Sequence, residues 1–163
     1  MPQHDWPQEI ADRINRYGIA DWLRLLAASL GKNFHDLIPI APVARHEIEL
    51  PEWGLTLILS HPHAGHIDAG APDRWVLESA RFNPLAAALP FELDARNETP
   101  DSAKAKLSDD TVAGNIIAGD ARISYFLDDA RVVELTFASG LKGLTSVQVV
   151  RLGGAMEFDR VAQ

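Results

Sequence analysis

Hydrophobic positions recur with a helical period at the start of the chain and with a period of two through most of the remainder. Ile10, Ile14 and Tyr17 are spaced by four and three residues, which marks one face of an α-helix. Pro7 suits an early helical position and Gly18 can close the segment. A second helix is predicted from Asp21, read as an N-cap, through Trp22, Leu23, Leu25, Leu26, Ala27 and Leu30, with Gly31 as the left-handed residue that ends it. Its apolar residues cover more than one side, so it should be the more deeply buried of the two. After Pro39 and Pro42 the period becomes two. Ile48 and Leu50 alternate with charged neighbours, and Leu55, Leu57 and Leu59 continue the alternation beyond Pro51-Glu52-Trp53-Gly54, which predicts a hairpin with one buried face. A polar connection from Ser60 to Asp73 follows, and then a strand from Trp75 to about Phe82.

The second half repeats this order. Thr99 is a good N-cap, Pro100 fits the first helical position, and Asp101 favours the positive end of the dipole of a short helix ending near Leu107. Strands are predicted at 122–127, 132–137 and 144–152, with turns at Asp128-Asp129 and between Gly140 and Gly143. A shift of 77 residues lays Leu30 on Leu107 and Leu50 on Leu127. One extra residue then sets Leu55, Leu57 and Leu59 against Val133, Leu135 and Phe137, and a shorter third connection sets Trp75, Leu77 and Arg81 against Thr145, Val147 and Arg151. The pattern predicts an α+β fold: N-terminal helices, then a degenerate tandem repeat of a helix plus an antiparallel three-stranded meander. It spans a single domain, 1–163, with repeat halves at 20–82 and 98–152.

Length and composition set bounds on this picture. With 163 residues, 47% of them hydrophobic and 23% charged, the chain can bury about 70% of its unfolded surface and is no disordered polymer. No apolar run approaches the roughly 20 residues that span a bilayer, and the N-terminus lacks the basic and apolar regions of a secretory signal, so a cytoplasmic protein is expected. The absence of cysteine excludes disulfides, thiolate metal sites and thiol nucleophiles. Fifteen Lys and Arg against 23 Asp and Glu give a net charge of −8. That charge argues against nucleic acid or an anionic membrane as partner and favours capture of basic macromolecules. Between Glu92 and Glu134 lie ten acids (Glu92, Asp94, Glu98, Asp101, Asp109, Asp110, Asp120, Asp128, Asp129, Glu134) against five bases (Arg96, Lys104, Lys106, Arg122, Arg131), an excess of five that is read as surface.

The densest candidate chemistry is His61-Pro62-His63-Ala64-Gly65-His66-Ile67-Asp68. Three imidazoles and a carboxylate suit a transition metal, and His61, His63 and His66 would be the ligands of a small metal-dependent hydrolase. The residues lie in a Gly- and Pro-containing connection, however, where such side chains are ordinary surface, and no distant Glu-x-x-His element completes a scaffold. No metal or cofactor is therefore assigned. There is no Gly-x-Ser-x-Gly elbow, and Gly153-Gly154 lacks both a Walker lysine and a dinucleotide-binding spacing. Asp109-Asp110 and Asp128-Asp129 are adjacent pairs in turns, where carboxylates point apart and are not tuned as buried dyads are. Trp53 and Trp75, near strand beginnings, are read as core or rim packing. The residues carry no enzyme signature.

Leu30-Gly31-Lys32 at a helix end, Trp53-Gly54-Leu55-Thr56-Leu57, Leu89-Pro90-Phe91-Glu92-Leu93, the segment 99–107 and the meander 125–137 form an order that resembles small bacterial immunity proteins encoded beside polymorphic or type VI secreted toxins. The order is also similar to the helix-plus-strands modules of the outer-membrane assembly lipoprotein class. The resemblance covers roughly 22–152 as a pattern. Glu92 stands where glycine is expected, and Ser108 replaces the glycine after Leu107. A lipoprotein-type export signal is absent, which disfavours an envelope role. The resemblance implies a non-enzymatic inhibitor that occludes a cognate toxin, and it carries over no individual residue roles. Charge and expected exposure nominate Asp109, Asp110, Asp128 and Asp129 as partner-binding residues, with 61–68 as a second patch. An adaptor or chaperone for a secreted effector is the remaining alternative, and the oligomeric state is left open.

Overall fold

The computed structural model describes residues 4–16, 19–37, 45–60, 75–85, 88–107, 111–117, 120–127 and 131–151. Among the described residues, four helices and seven strands follow one another as α1 (Trp6–Arg13), α2 (Ala20–Ser29), α3 (Phe34–Leu37), β1 (Arg45–Leu50), β2 (Leu55–Ser60), β3 (Val76–Phe82), α4 (Pro100–Leu107), β4 (Thr111–Ile117), β5 (Asp120–Phe126), β6 (Arg131–Phe137) and β7 (Leu144–Arg151). The fold is α+β, as the periodicity predicts. All seven strands join one sheet in the order β1-β2-β3-β7-β6-β5-β4, and every pairing is antiparallel.

Helix α1 begins as its sequence dictates. Asp5 accepts a hydrogen bond from the Gln8 N–H at 3.3 Å, and Pro7 occupies the first turn. The helix stops at Arg13, short of the predicted Tyr17-Gly18, because the chain turns onto the sheet. Ile14 bridges to Leu77, Asn15 adopts a positive φ of 66°, and its N–H donates to the Leu77 carbonyl at 2.8 Å. Helix α2 corrects a second expectation. Its N-cap is Ile19, which makes no side-chain capping bond, and Asp21 lies inside the first turn paired with Arg24 at 3.1 Å. Its other end is as read: Gly31 has φ 67°, and the Gly31 and Lys32 N–H groups donate back to Ala28 and Ala27. This helix buries Ala20, Trp22, Leu23, Leu26 and Ala27, against only Ile10 and Ala11 on α1.

Alternation in the strands sends one set of side chains to the helices. Ile48, Leu50, Leu55, Leu57, Leu77, Ala80, Phe82, Tyr125, Val133, Leu135, Val147 and Val149 share a core with Ile10, Leu23, Leu26, Ala103 and Leu107. Burying side chains of this size contributes about 1.5–3 kcal/mol each. The β1–β2 connection is a 3₁₀ turn, Pro51–Trp53, closed by Gly54 at φ 60°. Strand β3 is buried at every position but Arg81, and its register with β2 slips between Ile58 and Leu59, opposite Ser79 and Leu77. A matching slip falls between Thr136 and Phe137 on β6. Strand β4, at the sheet edge, and the short α3 were not anticipated. Gly114 and Asn115 interrupt the alternation of β4, and four residues are too few to display a helical period.

Candidate functional site

The helices share a core with one face of the sheet, and the alternation that builds that core sends polar side chains to the opposite face. Along the register, Glu49 pairs with Thr56, Thr56 with Arg81, Arg81 with Gln148, Gln148 with Glu134, and Glu134 with Ser124. These six residues form a transverse row on six adjacent strands, about 24 Å across at the usual strand spacing. Glu49 and Arg81 are exposed, and the other four are half-buried. Thr136, Ser146 and Arg122 extend the face alongside. Toward the other end of the strands the same face turns apolar, with Val76, Val132 and Val150 fully buried and Ile58 half-buried. A shallow cavity of about 540 Å³ opens at the end of β1, β2, β3 and β7 next to the β1–β2 turn, lined by Glu49, Thr56, Arg81, Asn83, Thr145 and Ser146 among others.

The four nominated aspartates and the histidine segment, 61–68, lie outside the described residues. The strand ends that flank them do not. Thr111, which follows Asp110, pairs with Tyr125 near the end of β5, and Leu127, which precedes Asp128, bonds to the Arg131 carbonyl at 3.1 Å. Arg131 pairs with Arg151, while Ser60 pairs with Val76, and Ser79 with Val150. The strand ends next to 61–68, to Asp128-Asp129 and after Asp110 therefore lie at one common end of the sheet, with 109–110 entered from the end of α4. No group of three or more His, Asp or Glu among the described residues could hold a metal ion.

One member of the predicted acidic surface is misplaced. Glu98 is 1% exposed, and its carboxylate is enclosed by donors. The Asp94 N–H and the Lys106 ammonium each donate to Oε1 at 2.8 Å, and the Ser102 hydroxyl donates to Oε2. Lys106 also donates to the Glu92 carbonyl at 2.8 Å. Thr99 caps α4 by accepting from the Ser102 N–H at 3.2 Å. On the sheet side, Tyr125 donates to the Pro100 carbonyl at 3.1 Å. Burial pushes the Tyr125 phenol from its ordinary value near 10 up to about 12, with the nearby Glu98 and Asp101 charges acting in the same direction. The Asp94 carboxyl is held below the usual carboxylate range, chiefly by the Asn97 side-chain amide and then by the Arg96 and Asn97 N–H groups. These bonds fasten the segment before α4 to the helix and, through the Gly143 and Leu144 N–H groups on the Glu98 and Ala95 carbonyls, to the β6–β7 turn. The sequence signal was the spacing of Glu98, Ser102 and Lys106, which sets Ser102 and Lys106 on the side of α4 that faces Glu98 in the preceding segment.

The tryptophans divide as expected into core and rim. Trp75 is fully buried. Trp53 is half-buried against Trp6, with ring centroids 5.8 Å apart, and Trp6 reaches Trp22 at 6.2 Å. The Arg13 guanidinium sits over Trp22 at 5.5 Å.

No protein-family model, curated protein or solved structure matches the chain. Among the described residues no helix is long and apolar enough to cross a membrane.

Proposed function

We propose that the chain is a non-enzymatic immunity protein that binds and neutralises a cognate bacterial toxin in the cytoplasm of the cell that makes both. The observation that carries this reading is the one-sided sheet, with helices on one face and a polar row from Glu49 to Ser124 on the other. An antiparallel sheet fixed by its hydrogen-bond ladders and a packed core loses little freedom when another protein docks on it, and this lowers the cost of association. The net charge of −8 speeds encounter with a basic toxin, and occlusion of the toxin's active site would follow from the bulk of the sheet. Asp109, Asp110, Asp128 and Asp129 supply the acidic part of the contact, since the strand ends next to them lie together. The test is co-expression with the toxin encoded beside it. Growth should be rescued by the wild-type chain, and asparagine at all four positions should lower toxin affinity, more at low than at high salt. Unchanged affinity at both salt concentrations would remove the acidic contact from the proposal.

The same reading includes the tandem repeat. Three features support it. First, β3 and β7 are neighbours at the middle of the sheet, and each is followed outward by the other two strands of its own half, β2 then β1 and β6 then β5. Second, the register slips at Ile58/Leu59 and at Thr136/Phe137 coincide when Leu55 to Leu59 is laid on Val133 to Phe137. Third, Ala80 pairs with Val149 and Phe82 with Val147, with Arg81 opposite Gln148 between them, as a local two-fold axis through that pair requires. The registers shift the outer equivalences from those read in the sequence. Leu50 corresponds to Tyr125, since these face Leu55 and Val133, and Ala80 corresponds to Val147, since these face Leu57 and Leu135.

A further inference from the structure

The 3₁₀ turn Pro51–Trp53 and the first turns of α1 enclose a cavity of about 320 Å³ that the sheet-face contact does not use. Trp6, Ile10, Trp53 and Phe82 give it apolar walls, and the polar groups in its lining are His4 and Glu52. Trp6 is held in place by its neighbours: His4 stacks on it at 4.5 Å with 18° between the planes, and Trp53 lies 5.8 Å away on another element. His4 Nδ1 is 2.9 Å from the Glu9 carboxylate, so a second acid stands behind the aromatic wall. Glu52 is exposed, and no lysine or arginine lines the cavity among the described residues. The volume lies at the small end of the range for ligand pockets, about 300–1,000 Å³, which is room for one side chain rather than a cofactor.

We infer that this cavity takes the side chain of an arginine or lysine carried by the protein partner, with its alkyl stem against Pro7 and Ala88 and its cationic head between the indoles and the Glu52 carboxylate. Each part of the site matches such a side chain. Indole rings attract cations through their π faces, basic side chains bury their stems while keeping the charge near water, and an acidic rim on a chain of charge −8 favours positive over neutral or anionic occupants. Aromatic residues and arginine are also the types that anchor protein interfaces. The inference rests on the partner-binding reading above and adds the chemistry of one contact to it.

The probe is n-propylguanidinium, an arginine side chain without its backbone, titrated into the full chain while the indole N–H signals are followed by NMR. Saturable shifts are expected at Trp6 and Trp53, with a dissociation constant on the order of 10 mM for so small a ligand. The uncharged 1-pentanol should bind at least about fivefold more weakly. Glu52→Gln should weaken the guanidinium by about three- to fivefold and leave 1-pentanol unchanged. Equal binding of the two probes, shifts confined to other tryptophans, or an absence of saturable shifts would overturn the inference. Trp53→Phe keeps a ring in the wall and should retain most of the guanidinium binding, whereas a folded Trp53→Ala chain should lose it. In cells co-expressing the toxin, loss of protection on Glu52→Gln combined with Trp53→Ala supports capture of a toxin side chain, and full protection by that variant overturns it. Failure of the wild-type chain to protect, with guanidinium binding intact, would strike the immunity reading and not the chemistry of the cavity.

Discussion

The Lys106 ammonium and the Glu98 carboxylate lie 2.8 Å apart, with the glutamate side chain wholly buried and the lysine side chain 32% exposed. The pair sits where the segment before α4 meets the helix, and two further donors, the Asp94 N–H and the Ser102 hydroxyl, complete the carboxylate. Removing the two partners should not be equivalent. Glu98→Ala strips three groups of an acceptor and is expected to cost about 3 kcal/mol, the range for breaking a buried pair. Lys106→Met leaves the wholly buried carboxylate with two donors and no counter-charge and should cost more, about 4 kcal/mol, whereas the partly exposed ammonium left by Glu98→Ala is reached by water. Urea unfolding of both variants checks the order.

Tyr125 gives the fold a pH limit on the alkaline side. Its phenol titrates at about 12 in the folded chain against an ordinary value near 10. A raised folded value means that its contribution is fully present below pH 10 and is lost as pH rises through about 12, because the unfolded chain releases the proton first. Tyr125→Phe should cost about 1 kcal/mol at neutral pH, the worth of the bond to the Pro100 carbonyl, and should flatten the decline above pH 10. Thermal melts between pH 7 and 11 measure both.

Two glycines of the β6–β7 turn share φ 86° and differ in surroundings. A Cβ on Gly140 meets nothing within 4 Å, whereas one on Gly143 comes within 3.1 Å of the Arg96 carbonyl oxygen and 3.3 Å of that of Ala95. Alanine at 140 should cost about 1 kcal/mol for the left-handed backbone alone. Alanine at 143 should cost about 2–3 kcal/mol, since the turn must also move off the 95–98 segment that receives its N–H bonds. Denaturant midpoints of the two variants compare the terms.

Glu92 has φ 57° and its neighbour Phe91 has φ 60°, within the short 3₁₀ segment Pro90–Glu92. Glycine is the one residue that takes such a φ without a steric penalty. Glu92→Gly is therefore expected to raise stability by about 0.5–1 kcal/mol, a gain of roughly 1–4 °C in melting temperature for a chain of this size. Lys106 bonds to the backbone carbonyl here, so the substitution leaves that contact in place. Calorimetry of the single variant reads the shift.

Much of the fold was legible because burial on one face of a sheet imposes a period of two, and the hairpin at Ile48 to Leu59 and the meander at 131–151 both obey it. The β4 strand escaped because Gly114 breaks its alternation, and α1 was drawn too long because Ile14 keeps the helical spacing while its backbone has already joined β3. Asp21 resembled a cap by residue type, yet the tertiary position of Ile19 decides where α2 begins. Composition alone could not separate Glu98 from its acidic neighbours, since only the arrival of Lys106 and the Asp94 N–H distinguishes a buried carboxylate from a solvated one. The open face was implicit in the polar half of every alternating strand. The row across it depends on pairing β3 with β7, a long-range contact that no local spacing announces.

The immunity function proposed above is tested most directly by the affinity of the chain for its proposed cognate toxin, measured for the wild type, for Gln148→Arg at the centre of the polar row, and for Leu25→Arg on the outer surface of α2, where Leu25 is 53% exposed. The wild-type chain and Leu25→Arg are predicted to bind within about twofold of each other, and Gln148→Arg to bind about a hundredfold more weakly, the scale of a central interface residue. A wild-type chain that does not bind the toxin, or a Gln148→Arg chain that binds as the wild type does, would contradict the account.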